Sequence, residues 1–240
     1  LDEHVIADIS VHPQRPGEAL ASTQTLGRAN DLYRTEDAGQ TWIPLELPIT
    51  GRIRSLVRAR SVPDRIYLVH ADGALSSRDG GLTFEPFELG PPELGSSGTE
   101  FDLLGVDPMN AETVFAAYAS FPESQLLKSE DGGMTWVFLL TLPDIPDSIA
   151  LLDGGSEIII STPVMGLLRS GDGGGVWMAL DSPLESGSIG CLTLDPNDGL
   201  LACAQRNEEI LLLQSPDFGQ TWTTMIDLEL NGVARRTGCA

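Results

Sequence analysis

The sequence predicts an all-β protein, a β-propeller built of four-stranded antiparallel blades. Three observations carry this. One short phrase returns five times at near-even spacing, short apolar segments separated by turn residues precede each copy, and no stretch shows sustained helical periodicity.

The phrase has a Ser or Thr, an Asp two residues later, a Gly two further on, and a closing aromatic. It runs over Thr35–Trp42, Ser77–Phe84, Ser129–Trp136, Ser170–Trp177 and Ser215–Trp222. From Asp37 through Asp79, Asp131 and Asp172 to Asp217 the steps are 42, 52, 41 and 45 residues, the length of one propeller blade. Asp and Ser/Thr side chains accept hydrogen bonds from nearby backbone N–H groups and Gly takes a positive φ, so the phrase describes a tight hairpin turn held by its own side chains. All four tryptophans, Trp42, Trp136, Trp177 and Trp222, close a phrase, with Phe84 in the remaining copy. A binding aromatic has no reason to recur at that spacing, so these rings are read as packing between neighbouring hairpins.

In chain order the units are 1–48, 49–90, 101–142, 147–182 and 187–229. In unit one, His12 precedes Pro13 where unit three has Asp107-Pro108, which marks a turn. Unit two opens on Arg52 and Arg54, at the start of an expected innermost strand. Arg58, Arg60 and Arg65 follow, and Arg58 and Arg60 share a strand face if the pleat continues. A Pro-, Gly- and Ser-rich stretch, Glu88–Glu100, supplies the extra length of the longest step. Unit three shows the pattern best: Leu103–Val106, a turn at Asp107–Asn110, Thr113–Tyr118, Gln125–Lys128, the phrase, then Trp136–Leu140. Unit four departs from it, since Val176 replaces Thr and Gly173–Gly175 are all glycine, which predicts a looser turn. Unit five repeats unit three with Cys191–Leu194, Asp195–Gly199 and Leu200–Ala204. The segment 231–240 reads as a partial sixth unit, and the chain as part of a longer one.

The phrase resembles the Asp-box, or BNR repeat. That repeat is found in sialidases, xyloglucanase-type glycoside hydrolases, sortilin-type receptor ectodomains, photosystem II assembly factors and many secreted bacterial propellers. The resemblance implies that the boxes sit away from the ligand face, so Asp37, Asp79, Asp131, Asp172 and Asp217 inherit a structural role. It implies little about chemistry, because those families share the box and not the reaction. A sialidase needs an aromatic-Arg-Ile-Pro phrase before its first box. Gly51–Arg54 follows the first box and lacks both the aromatic and the Pro. Tyr33, Tyr67 and Tyr118 read as core.

The chain has 240 residues and a formal charge of −21, from 14 Lys+Arg against 35 Asp+Glu. That balance repels phosphate backbones and anionic lipid, which argues against nucleic acid as a partner. No apolar run reaches the roughly 18 residues of a membrane span. His4, His12 and His70 are the three histidines, and with no Gly-x-Ser-x-Gly phrase there is no nucleophile motif. No cofactor or metal site is expected: Cys-x-x-Cys and clustered His are absent, and Asp195–Gly199 lacks the later Glu of a calcium loop. Cys191 and Cys203 lie symmetrically about Asn197. They are either a cross-hairpin disulfide, which implies an oxidising compartment, or two reduced core cysteines. Cys239 is left over.

Ligands of propellers meet the face opposite the boxes, which here carries Thr23–Asn30, Gly90–Gly98, Ser120–Ser124 and Asp144–Ser148. Arg52 and Arg54 point to that face and suit a carboxylate or sulfate, against the plainer reading that they pair with the protein's own acids. The resulting expectation is a non-catalytic, extracellular, cell-surface or periplasmic domain that binds a protein or carbohydrate partner or serves as a rigid scaffold. The alternative is a glycoside hydrolase, which would need two carboxylates across a cleft.

Overall fold

A computed structural model describes residues 5–24, 32–48, 53–70, 73–91, 100–120, 122–184, 187–195, 199–207 and 209–229. The fold is an all-β, five-bladed propeller of four-stranded antiparallel sheets, each sheet taking its strands in chain order. Blade one holds β1 (Val5–Val11), β2 (Ala19–Gln24), β3 (Leu32–Thr35) and β4 (Ile43–Leu45). Blade two holds β5 (Ile53–Arg58), β6 (Ile66–His70), β7 (Gly73–Ser77) and β8 (Glu85–Phe87). Blade three holds β9 (Glu100–Val106), β10 (Val114–Ser120), β11 (Glu123–Ser129) and β12 (Val137–Leu142). Blade four holds β13 (Ser148–Leu152), β14 (Glu157–Thr162), β15 (Gly166–Ser170) and β16 (Met178–Ala179), and blade five β17 (Ser188–Asp195), β18 (Gly199–Arg206), β19 (Glu209–Ser215) and β20 (Thr223–Glu229). Among the described residues no helix is long and apolar enough to cross a membrane.

The chain divides into two compact units, one of Leu1–Tyr118 with Leu127–Phe138 and the other of Ala119–Leu126 with Leu139–Cys239. In the first, β6 shows how alternation builds the core. Ile66 and Leu68 point into a cluster with Leu20, Leu32, Ile53, Leu56 and Leu75, while Tyr67 and Val69 point into another with Leu103, Val114, Leu127 and Trp136. Successive side chains of a strand face opposite ways, so a middle strand covered on both faces must be apolar at every position. Burying each such Leu or Ile contributes roughly 1.5–3 kcal/mol. Tyr67 and Tyr118 are buried, as read from the sequence, and Tyr33 is half-buried. The second unit has its own cluster, in which Ile159, Leu167, Leu192, Leu200, Ala202 and Leu211 meet.

The strand ends correct one expectation. β5 stops at Arg58, so Arg60 lies in the following turn, exposed, and the two do not share a pleated face. Ala59 donates its N–H to the Arg65 carbonyl at 3.0 Å, which closes the turn.

Candidate functional site

The five boxes form one hydrogen-bonded device. In the first, Thr35 Oγ1 donates to Asp37 Oδ1 at 2.8 Å and accepts the Gly39 N–H at 2.9 Å. Asp37 in turn accepts the Thr41 N–H at 2.8 Å and the Thr41 hydroxyl at 2.6 Å. The same set recurs about Asp79, Asp131 and Asp217. The Thr hydroxyl and N–H favour the ionised form and hold Asp37, Asp131 and Asp217 down to about 2. The box glycine takes φ from 87° at Gly39 to 105° at Gly174, a conformation that a Cβ disfavours.

Each tryptophan has a polar task besides packing. The indole N–H donates to its own box glycine carbonyl: Trp42 to Gly39, Trp136 to Gly133, Trp177 to Gly174 and Trp222 to Gly219, at 3.0–3.2 Å. Trp136 also reaches the Glu88 carbonyl at 3.1 Å and so ties blade three to blade two. Phe84 keeps only the packing, against the core of blades one and two.

The box of blade four is not looser in its backbone. Gly174 and Val176 N–H groups bond Ser170 Oγ and Asp172 Oδ1 at 2.8 and 2.9 Å, as in the other blades. What is missing is the hydroxyl bond that a Thr would make. The carboxyl of Asp172 is still lowered, chiefly by the Val176 N–H and then by Ser170.

The boxes of blades one to four also lean on the first hairpin turn of their own blade. N–H groups of Ala38, Gly80, Gly132 and Gly173 donate to carbonyls of Gly17, Asp64, Glu112 and Ser156 at 2.8–2.9 Å. The carboxylates of two of these turn residues then receive an arginine from the preceding blade. Arg15 of blade one pairs with Asp64 of blade two, and Arg65 of blade two with Glu112 of blade three at 3.1 Å. Arg65 is buried, donates to the Tyr67 hydroxyl at 2.9 Å and lies 4.4 Å from that ring's centroid. Desolvation pushes Tyr67 up to about 12. Arg58, also buried, donates to the Pro63 carbonyl at 2.6 Å and to Ser10 Oγ. Two members of the arginine run are therefore fasteners between strands and blades.

At the other end of the strands the picture differs. Arg52 lies outside the described residues. Arg54, the second residue of β5, stands with Nη2 3.2 Å from Asp102 of β9, and both side chains are partly exposed. Asp8 of β1 accepts the Leu56 N–H at 3.2 Å, and its pKa is raised by burial against the opposing pull of the Ile9 and Leu56 backbone bonds. Reasoning from sequence missed Asp8 and Asp102. Both precede an X-Pro turn, but by four residues at His12-Pro13 and by five at Asp107-Pro108, so no shared spacing marked them. Of the loops expected on this face, 25–30, 92–99 and residue 121 lie outside the described residues. Asp144 is tied down: its carbonyl accepts from Ser124 Oγ and its Oδ2 accepts the Val164 N–H at 2.6 Å.

Cys191 and Cys203 are cross-strand partners, as their symmetry about Asn197 predicts, but they are not bonded to each other. Cys191 is disulfide-bonded, while Cys203 keeps its thiol, whose pKa burial raises. A bulge falls between Ile189 and Cys191, and from Cys191 onward the strands are in register, with the Cys203 amide donating to the Cys191 sulfur at 3.2 Å. Cys239 lies outside the described residues. No group of three or more His, Cys, Asp or Glu side chains able to hold a metal occurs among the described residues.

The fold has counterparts among solved structures. The GH74 xyloglucanase from Xanthomonas campestris superposes with a TM-score of 0.69 at 17% identity, over 92% of this chain and 38% of that one. YCF48 bound to D1 peptide superposes with a TM-score of 0.62 at 17% identity, over 95% of this chain and 69% of that one. YCF48 from Cyanidioschyzon merolae gives 0.55 at 16%, over 92% and 85%. The chain therefore spans well under half of the xyloglucanase. No protein-family model and no curated protein matches the sequence.

Proposed function

We propose that this chain is a secreted, non-catalytic propeller that binds a peptide segment at the strand ends opposite its boxes. The observation that carries this reading is the Arg54–Asp102 pair. A catalytic carboxylate must be free to protonate a leaving group or activate water, and Asp102 is instead matched to a guanidinium. A half-exposed ion pair on a rigid scaffold offers a donor and an acceptor together, which suits a peptide's polar groups. The peptide carried by YCF48, a propeller of the same fold, supports that choice of ligand class. The disulfide at Cys191 supports an oxidising compartment, hence an extracellular, cell-surface or periplasmic site.

The test combines peptide-array binding with an assay for reducing-sugar release on plant and acidic polysaccharides. Binding without release, weakened in both Arg54→Ala and Asp102→Ala, is the expected result. Release of sugar would overturn it in favour of a glycoside hydrolase. One observation favours that second reading: the raised pKa of Asp8 is the property a general acid requires. If the hydrolase reading holds, Asp8→Asn abolishes release.

A further inference from the structure

At the box end of blade one, Arg15, Pro16, Gly17, Glu18, Arg34 and Glu36 line a cleft of about 400 Å³. That volume falls within the roughly 300–1,000 Å³ of small-molecule sites. Two arginines and two glutamates line the cleft beside Pro16 and Gly17, so its charges are balanced. Its floor is Glu18, a carboxylate with only 7% of its side chain exposed. Glu18 Oε2 lies 3.1 Å from Arg15 Nη1 and 3.2 Å from Arg34 Nη2, and Arg34 reaches Glu36 Oε1 at 3.0 Å. Beneath it Arg58, 4% exposed, comes within 3.9 Å of Glu18 Oε1, beyond hydrogen-bond reach. Three guanidinium groups therefore face Glu18, Glu36 and Asp64, and the charges cancel.

The hydrogen bonds do not cancel. Glu18 Oε1, an acceptor, has no hydrogen-bond partner, and neither have two donors, Arg34 Nε and Arg58 Nη2. Leaving such buried groups unmade costs about 1–3 kcal/mol each, more when they are charged. A partner for this set must donate and accept within a few ångströms and carry no net charge, because an anion meets Glu18 and Glu36 and a cation meets the arginines. A hydroxyl meets both demands, and neighbouring hydroxyls on a ring meet them at two points at once. Arg15, with 46% of its side chain exposed, stands at the rim beside Glu18 and is itself held by Asp64 and His12.

We propose that this cleft binds an uncharged polyhydroxylated ring, a hexopyranose of a glycan, on the end of blade one remote from Arg54. One hydroxyl donates to Glu18 Oε1 and its neighbour accepts from Arg34 Nε. Glu36, exposed at the rim, takes a third hydroxyl.

The test is a titration of the whole chain with methyl hexopyranosides of gluco, galacto and manno configuration, followed through the Nε–Hε resonance of Arg34 in ¹⁵N-correlated NMR spectra. At least one pyranoside shifts that resonance saturably, and methyl glucuronide and glucosamine bind ~10-fold more weakly because each adds an unmatched charge. Glu36→Gln, at an exposed position, weakens binding about fivefold. Glu18→Gln weakens it further, and Glu36→Gln alone decides should the Glu18 variant fail to fold. The proposal is overturned if no pyranoside moves the Arg34 resonance, which would mean that water alone serves these atoms, or if charged and neutral sugars bind alike. Perturbation confined to Arg54 and its neighbours would also overturn it, while leaving the peptide reading to its own assay.

Discussion

The two ends of the strands obey different rules. At the box end the same bonds recur blade after blade: hydroxyl to Asp, Gly N–H to hydroxyl, box amide to first-turn carbonyl. At the opposite end two of the first strands, β1 and β13, share one structural habit. A side-chain oxygen accepts an N–H of the following blade's first strand, Asp8 from Leu56 at 3.2 Å and Ser148 from Leu192 at 2.9 Å. Beyond that, Asp8, Arg54, Asp102 and Ser148 have little in common. Repetition marks what every blade needs in order to fold. Departure from it marks what one blade does alone, and the Arg54–Asp102 pair and the Glu18 cleft are both departures.

The largest expected effect lies at a repeated position. Gly133 has φ 97°, and a Cβ there would stand 2.5 Å from the Phe87 ring. Gly133→Ala should cost about 2–4 kcal/mol in urea unfolding, from backbone strain and overpacking together. A cost below that of an ordinary surface substitution would break the claim that the repeat is structural.

Next comes His12, where blade one departs from the repeat. Its Nδ1 accepts the Gln14 and Arg15 N–H groups at 3.1 and 3.0 Å, the task that Asp107 Oδ1 performs for Met109 and Asn110 in blade three. Desolvation, then Arg15 and Arg58, lower the His12 pKa below 6.5. Its stabilising contribution is therefore complete above pH 6.5, where it is neutral folded or unfolded, and is lost as pH falls below that value because the unfolded chain takes up the proton more readily. His12→Asp restores an acceptor that also offsets the two arginines. It should raise stability by about 1 kcal/mol at neutral pH and remove the drift between pH 5 and 7, as read by thermal unfolding across that range.

A smaller effect is expected in blade four. Val176→Thr supplies the missing hydroxyl, so the Asp172 carboxyl should titrate lower, toward the value of about 2 held by Asp131. Carboxyl ¹³C titration reads this directly, and an unmoved Asp172 would mean that the hydroxyl does not govern the box. Because the box carboxylates are depressed, their contribution is present above pH 3.8 and lost as pH falls through about 2.

The smallest effect on stability belongs to Arg54. Its ion pair is partly exposed, so Arg54→Ala should change unfolding by no more than ~0.5 kcal/mol and alter only peptide affinity. A large loss of stability would make Arg54 another fastener like Arg65 and would end its claim to a binding role.

Fold and site were legible to different degrees. Thr35 bonds Asp37 and Gly39, and Asp37 bonds Thr41, all within four residues, so their spacing alone announces the turn. The pairing of Arg65 with Glu112 spans 47 positions and that of Arg54 with Asp102 spans 48. No local pattern carries such a partner, and the arginine run read as one feature separates in space into fasteners, an exposed turn residue and a paired surface group.

By itself, the sequence determined the blade: its length, its turns, the positive φ of its box glycines and the place of its tryptophans. All are settled by hydrogen bonds and torsions within a few residues. Only the tertiary structure decided which charges neutralise one another, that Cys191 and Cys203 face without joining, and that Glu18 lies among three arginines with one oxygen unmatched. Those outcomes depend on how side chains from neighbouring blades share space, and packing sets that at separations where spacing along the chain carries no information.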